Sequence, residues 1–221
     1  MTNRRELLHG AAALPVVATP FARVLAAGLA LTARVFEARA ADETGSPEET
    51  IKTLQAALID AARRLGHAAV AERYRALEPA IAKTHDLPYI AEFALRRQWP
   101  MLAEPDRQRF IAAFQRLSVM TYAARFGNVA PDAFRSLETG APGANGRVQV
   151  KTAVKREGQP DVTLEYLLQK NGDDWQIINI VADGVSDLAL KRAEYQRVFA
   201  SGGIDGLVAE LEQQTQRLER G

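Results

Sequence analysis

The chain of 221 residues contains no cysteine, and this absence excludes several kinds of chemistry at once. Disulfide bonds, a thiol nucleophile and zinc bound by cysteine are all ruled out. Histidine is also scarce: His9, His67 and His85 are far apart, and no two of them have the spacing of metal ligands. We therefore expect neither a metal site nor a bound cofactor.

An excess of one charge is also missing, since the chain has 28 basic and 27 acidic side chains. Five of the arginines lie within residues 1–40, so the rest of the chain carries a small net negative charge. Such a protein has no electrostatic reason to bind nucleic acid. The sequence has no glycine-rich phosphate loop and no nucleophile elbow, although spacing alone leaves a Ser-His-Asp set open.

Residues 1–40 have the pattern of an export signal. Paired arginines precede a mildly apolar, alanine-rich stretch that ends in Ala38-Arg39-Ala40, an A-x-A pattern for signal peptidase. The arginine pair is similar to a twin-arginine signal, which exports folded proteins. Two prolines and an arginine interrupt the apolar run, which argues against a spanning or amphipathic helix. We expect cleavage, a periplasmic location, a disordered lead over 41–47 and one domain over 48–221.

Helical periodicity fills the first half of the mature chain, where apolar residues recur every three or four positions. Ser46 and Glu49 form the pattern of a capping box, and Pro47 suits the first helical position. The same periodicity returns near the C-terminus, where Gly202-Gly203 divides it into two pieces. The predicted helices cover residues 49–66, 67–86, 87–99, 104–127 and 186–218.

Between residues 147 and 184 the apolar residues alternate with a period of two, which is typical of strands. Asn171-Gly172 predicts a tight hairpin because this pair suits positive φ angles. A weaker strand covers 133–139. Short connections predict an antiparallel sheet of about four strands, and therefore an α+β fold. The residues expected to share a face are Val148, Val150, Thr152 and Val154 in one strand, Leu164, Tyr166 and Leu168 in the next, and Trp175, Ile177 and Val181 in the last.

Two carboxylates, Asp183 and Asp187, admit two interpretations. They could form an acid/base pair in an enzyme, four residues apart. Asp183 with Gly184 equally suits a turn, and Ser186 suits the N-cap of a helix in which Asp187 faces Lys191. Each residue has a structural explanation, so we favour the structural interpretation and expect no enzyme.

The sequence has more apolar and aromatic side chains on its predicted helix and strand faces than local structure alone explains, whereas its polar residues need no further explanation. Each of them suits a solid core, but together they could line a cavity between the helices and a curved sheet, where apolar ligands bind. The candidate lining residues are Leu54, Leu58, Phe93, Trp99, Phe110, Phe114, Tyr122, Val150, Leu164, Tyr166, Leu168, Trp175 and Ile177.

Three segments carry a family resemblance: DLPYIAEFALRRQW, RQRFIAAFQRLSVMTYAARF and DDWQIINIVADGVSDLALKRAEYQRVFASGGIDGLVAELE. The last is the most specific, with a Trp early in the final strand, a D-G-V-S turn, an R-x-E-[FY] helix and G-G-[IL]-D-G-L. Across about residues 48–215 the chain resembles the MlaC-type, toluene-tolerance family of periplasmic lipid-binding proteins. It is most similar to the hopanoid-associated branch, HpnM.

The resemblance implies a twisted antiparallel sheet wrapped by helices around an apolar ligand pocket for lipid chains. It implies carriage of a lipid, phospholipid or hopanoid, between membrane-bound transporter components without catalysis, and we expect a monomer. Two alternatives stay open: an enzyme of polycyclic lipid metabolism, and an accessory protein that docks on a membrane complex. Where the family usually has L-G-R-Y-W, this chain has L-R-R-Q-W. Arg96 and Arg97 could meet a lipid phosphate or lie on a solvated face.

Overall fold

The computed structural model describes residues 45–220, and the predicted signal at 1–40 lies outside them. Within this part the chain forms an α+β fold, as predicted, with five strands rather than four. None of its helices combines the length and the apolar character that a bilayer crossing requires. The helices are α1 (Pro47–Leu65), α2 (Val70–Thr84), α3 (Leu87–Ala94), α4 (Glu104–Arg125) and α5 (Asp187–Arg220), with a 3-10 turn at Trp99–Met101. The strands are β1 (Phe134–Thr139), β2 (Val148–Arg156), β3 (Gln159–Asn171), β4 (Asp174–Ala182) and β5 (Val185–Ser186).

Side-chain caps begin three of the helices. The Ser46 hydroxyl accepts a hydrogen bond from the N–H of Glu49 at 3.1 Å, and Ser186 accepts from the N–H of Ala189 at 3.2 Å. Asp86 likewise accepts from the third residue after it, at the start of α3. Each cap satisfies an N–H that has no partner within its helix. The two serine caps confirm the helix starts expected from the sequence.

The helix predicted over 87–99 is too long, because α3 ends at Ala94. The next residue, Leu95, has φ −104° and ψ 21°, and its carbonyl accepts from the N–H groups of both Gln98 and Trp99. The residues after it form turns and then the 3-10 helix at Trp99–Met101, so the backbone leaves the α-helix well before Pro100. The apolar periodicity therefore continues past the point where the backbone leaves the helix.

A kink in α5 confirms the break expected at the glycine pair. Gly203 has φ 61° and ψ −159°, a conformation that residues other than glycine almost never adopt. The two parts of α5 therefore run in different directions and can each pack one face on the core.

The sheet is antiparallel throughout, with its strands in sequence order from β1 to β5. The hairpin between β3 and β4 turns one residue later than predicted, because Asn171 pairs with Asp174 and the positive φ angle belongs to Gly172. The short strand β5 was not predicted. It follows a turn in which both Asp183 (φ 48°) and Gly184 (φ 82°) have positive φ, the combination that suits a two-residue hairpin.

A β-bulge in β4 shifts its alternation by one residue. The extra residue is Ile178, because the register with β3 changes beside Ile177. The prediction that Val181 shares the face of Ile177 is therefore wrong, since Val181 lies opposite Glu165 on the outer face. Ile180 takes the inner position and packs against the core.

The helices are hydrogen-bonded to β4 as well as packed on the sheet. The N–H of Asp86, between α2 and α3, donates to the carbonyl of Ile177 at 3.0 Å. The hydroxyl of Thr50 in α1 donates to the carbonyl of Trp175 at 2.9 Å. These bonds place the helices over the inner face of the sheet, where the core lies.

Arg73 is a buried cation in α2 that holds three helices together. Its Nε donates to the carbonyl of Ala123 in α4 at 2.8 Å. Its Nη1 donates to the carbonyls of Leu65, Gly66 and Ala68, at and after the end of α1, at 3.3, 3.3 and 2.6 Å. Carbonyls at a helix end lack partners within the helix, so one guanidinium satisfies several of them.

We expect the Arg73→Met variant to lose about 2–4 kcal/mol in the free energy of unfolding, because buried carbonyls lose charged donors while the side chain keeps its length. Urea denaturation followed by circular dichroism measures the loss. Arg75→Met is the matched control, since Arg75 is exposed on the same helix. Its effect should stay within about 0.5 kcal/mol. Equal losses in the two variants would contradict the role given to Arg73.

Candidate functional site

The thirteen candidate lining residues come together in one apolar cluster between the inner face of the sheet and the helices. Eight are buried and five are half-buried at its margin. Their assignment to lipid binding stays a prediction, since side chains of a solid core occupy the same kind of place. The buried ones are Leu54, Leu58, Phe110, Phe114, Val150, Tyr166, Leu168 and Ile177; the half-buried ones are Phe93, Trp99, Tyr122, Leu164 and Trp175.

The sheet forms one wall of this cluster through rows of paired residues. Val150 of β2 lies opposite Tyr166 of β3, which lies opposite Ile180 of β4. In the next row, Leu164 of β3 lies opposite Thr152 of β2 and opposite Ala182 of β4. Side chains that are directly opposite across strands point to the same face, so these rows form a continuous and mainly apolar surface.

Three aromatic rings from α4 and α5 form part of the helical wall. Tyr195 packs edge-on against Phe110 and Phe114, with centroid distances of 5.9 and 6.3 Å. Sequence analysis did not select Tyr195, although it lies two helical turns after buried Leu188 and within the segment that carries the resemblance. Edge-to-face contacts add stability beyond area burial and fix the orientation of α5 on α4.

A polar group lies within the apolar interior at His85. Its Nε2 is 2.9 Å from the hydroxyl of Tyr122, and its Nδ1 is 3.0 Å from the hydroxyl of Thr84. Thr84 donates its own proton to the carbonyl of Ala80 at 2.7 Å, so its oxygen accepts from Nδ1–H. Nε2 then accepts from the Tyr122 hydroxyl, and the imidazole is neutral.

Burial lowers the pKa of His85 from 6.5 to about 4, because a charged ring would lose its hydration. A backbone contact with Ile81 and the charge of Asp187 oppose this shift, and Lys191 adds to it. Burial also raises the pKa of the Tyr122 hydroxyl well above its usual range. Both groups therefore stay uncharged at neutral pH.

Two further hydroxyls lie on the sheet wall. Burial raises the pKa of Tyr166, and the neighbouring Thr152 hydroxyl has a smaller, opposite effect. Thr152 Oγ1 is itself buried without a well-aligned hydrogen-bond partner among the described residues. This wall therefore presents polar atoms as well as apolar surface toward the interior.

Asp183 and Asp187 both have structural partners. The carboxylate of Asp183 accepts from the N–H of Thr163 at 2.8 Å and fixes the turn after β4. Asp187 forms an ion pair with Lys191 at 2.5 Å in the first turn of α5. These contacts support the structural interpretation over the acid/base pair.

The arginines at the margin of the cluster lie over aromatic rings. The guanidinium carbons of Arg96 and Arg192 are 5.5 and 5.3 Å from the centre of Phe93. Arg107 lies 5.5 Å from the centre of Trp99. Cations at these distances interact favourably with the π face of a ring.

A separate groove of about 490 Å³ lies between α4 and the second part of α5. Arg109 and Arg116 line one side, and Asp205 and Glu212 line the other. An ion pair of 2.8 Å between Arg109 and Asp205 crosses it. None of the thirteen candidate residues lines this groove. Charged walls suit acyl chains poorly, so we place the candidate site in the interior between sheet and helices.

Comparison with known proteins identifies a matching family and a similar solved structure. A family model described as MlaC protein matches residues 48–213. A solved structure of a phospholipid-binding protein from Ralstonia solanacearum, in complex with a phospholipid, is similar with a TM-score of 0.70. The sequence identity is 21%, and the likeness covers 79% of this chain and 99% of that chain. At this identity the likeness shows a shared fold.

The low pKa of His85 predicts a loss of stability on acidification. Between pH 6.5 and about 4 the unfolded chain binds a proton that the folded chain does not, so stability falls as pH decreases through this window. The loss should reach about 3 kcal/mol. Urea denaturation across the window compares the protein with His85→Gln, which has no titrating group there. A stability difference between the two that does not change with pH would contradict a neutral, buried His85.

The control for this measurement is His67→Gln, because His67 is exposed. Its stability should follow that of the unsubstituted protein across the whole pH range.

Proposed function

The chain belongs to the MlaC family, and from this premise we propose that it is a periplasmic lipid carrier. Its apolar interior between the sheet and the helices holds the hydrocarbon part of the lipid. The observation that most directly supports this proposal is that all thirteen candidate residues belong to one cluster on the inner face of the sheet. The export pattern of residues 1–40 supports the periplasmic location.

The physical basis of carriage is removal of lipid hydrocarbon from water. Burial is worth about 25 cal/mol per Å² of apolar surface, so a lipid chain inside the protein escapes a large hydration cost. Aliphatic and aromatic walls bind without fixed directional contacts, which lets a carrier release its lipid to an acceptor. The carrier passes its lipid between inner- and outer-membrane transporter components.

Two cargoes fit this function. The phospholipid bound to the similar Ralstonia protein supports a phospholipid. The resemblance of the C-terminal segments to the HpnM branch supports a hopanoid. Both have hydrocarbon parts that suit the interior, and they differ in their polar ends.

Mass spectrometry of lipids extracted from the mature protein, purified without detergent from its native periplasm, tests the function directly. We expect one lipid species in near-stoichiometric amount, because transfer of the bound hydrocarbon from the protein into water is unfavourable. The identity of that lipid distinguishes phospholipid from hopanoid. A protein that is empty and also fails to take up added lipid would contradict the proposal.

A charge placed on the inner wall should abolish lipid retention. Leu164 is half-buried on the inner face, so Leu164→Asp puts a carboxylate against the bound hydrocarbon. The control is Leu137→Asp, the same substitution at a leucine that is 43% exposed on β1. We expect lipid in the control and at least a tenfold loss in Leu164→Asp, measured by mass spectrometry on folded protein. A folded Leu164→Asp variant that keeps its lipid would show that this wall does not contact it.

A further inference from the structure

Two arginines from distant parts of the chain lie near one aromatic ring at the margin of the interior. Arg96 follows α3, Arg192 belongs to α5, and both guanidinium carbons lie within 5.5 Å of the centre of Phe93. The sequence separates these arginines by almost a hundred residues, so the fold brings them together. Two cations near one ring repel each other, and an anion that lies near both would offset this repulsion.

The arginines at the other aromatic rings have polar partners. Arg107 donates to the carbonyl of Trp99 at 3.2 Å and pairs with Glu104 at 3.6 Å. Arg147, over the ring of Tyr89, donates to the Tyr89 hydroxyl at 2.7 Å and to a glutamine side chain at 3.2 Å. Each of these two guanidinium groups therefore has acceptors within the protein.

Arg96 and Arg192 differ from these arginines. Within residues 45–220, neither guanidinium donates a hydrogen bond to another residue, and neither forms an ion pair with a carboxylate. The Nε of Arg192 is buried and has no acceptor there. A buried charged donor without an acceptor is costly and is rare in native proteins. Such a donor suggests a ligand that supplies oxygen atoms.

The position of the pair connects it to the interior. Phe93 packs against the apolar cluster, and Arg192 lies on the same side of α5 as Leu188 and Tyr195, which are buried in that cluster. A ligand with hydrocarbon in the interior and an anionic group at the surface would bring that group to Arg96 and Arg192.

We propose that Arg96 and Arg192 form an oxyanion site at the Phe93 ring, and that it takes the phosphate group of the carried lipid. Guanidinium groups match phosphate oxygens through paired hydrogen bonds, and two of them can bind one phosphate from two directions. This assignment rests on the proposed carrier function. Free inorganic phosphate has the same chemistry, so the test must separate the two sources.

The experiment compares two lipids with identical acyl chains, phosphatidic acid and diacylglycerol, which differ by the phosphate group. Each displaces a fluorescent fatty-acyl probe from the full mature protein. We expect phosphatidic acid to bind at least about tenfold more tightly, as charge-assisted hydrogen bonds imply. The preference should decrease at high salt because the charges are near the surface.

The variant R96Q/R192Q should bind both lipids equally, so that the preference for phosphatidic acid is lost. Arg97→Gln is the matched control, since Arg97 is exposed in the same segment and contacts no aromatic ring among the described residues; it should keep the full preference. R96K/R192K keeps the charge without the paired donors and should keep part of the preference. Circular dichroism and thermal melting verify that each variant is folded.

The outcomes separate this assignment from the carrier function. If the unsubstituted protein binds both lipids equally and inorganic phosphate does not stabilise it, the oxyanion site is overturned and the carrier function stands. If it binds neither lipid but takes up a hopanoid, the phosphate site is overturned and the carrier function stands; if it takes up none of the three, both are overturned. Inorganic phosphate that competes with phosphatidic acid but not with diacylglycerol would support the site. Stabilisation by inorganic phosphate that depends on Arg192, without any preference between the lipids, would assign the site to free phosphate and overturn the lipid assignment.

Discussion

The edge of β4 is the constraint on which the rest of the fold depends. In the described part of the chain, β5 pairs only with the end of β4, so earlier carbonyls on that edge need other partners. The helices supply them: the N–H of Asp86 donates to Ile177, and the hydroxyl of Thr50 donates to Trp175. His85 also forms a parallel bridge to Ile177. These contacts cover the edge of β4. They also fix α1 and the α2–α3 corner, residues 85 and 86, over the inner face of the sheet.

This attachment buries a polar side chain, and the way the protein accommodates it links three elements. His85 immediately follows α2, so placing the corner on β4 carries its imidazole into the interior. A charged ring would be costly there, and the neutral ring needs a partner at each nitrogen. Thr84 supplies one from the corner, and Tyr122 supplies the other from α4. The contact that satisfies the histidine therefore also attaches α4 to the corner and, through it, to the sheet.

Features that depend on local sequence could be predicted, and those that depend on tertiary contacts could not. The serine caps, the kink at Gly203 and the strand faces follow from neighbouring residues, because caps, positive φ angles and alternation are local properties. The bulge at Ile178 and the carbonyl contacts of Arg73 depend on partners that are distant in sequence. The candidate site divides in the same way. Periodicity predicted which apolar residues share one cluster, whereas the approach of Arg96 and Arg192 to the ring of Phe93 depends on tertiary packing.

Hydrocarbon burial scales with area and discriminates weakly between lipids of similar size, so the choice of cargo depends on a few polar groups. Among the described residues, two polar places suit the proposed cargoes. A phosphate would meet Arg96 and Arg192 at the margin, where both charge and solvent access suit it. A hydroxyl of a polycyclic lipid carries no charge and could enter the interior, where Thr152 and Tyr166 present the matching neutral groups. Under the proposed carrier function, phospholipid and hopanoid would therefore differ in which of these places their polar ends use, while the same apolar wall would contact both.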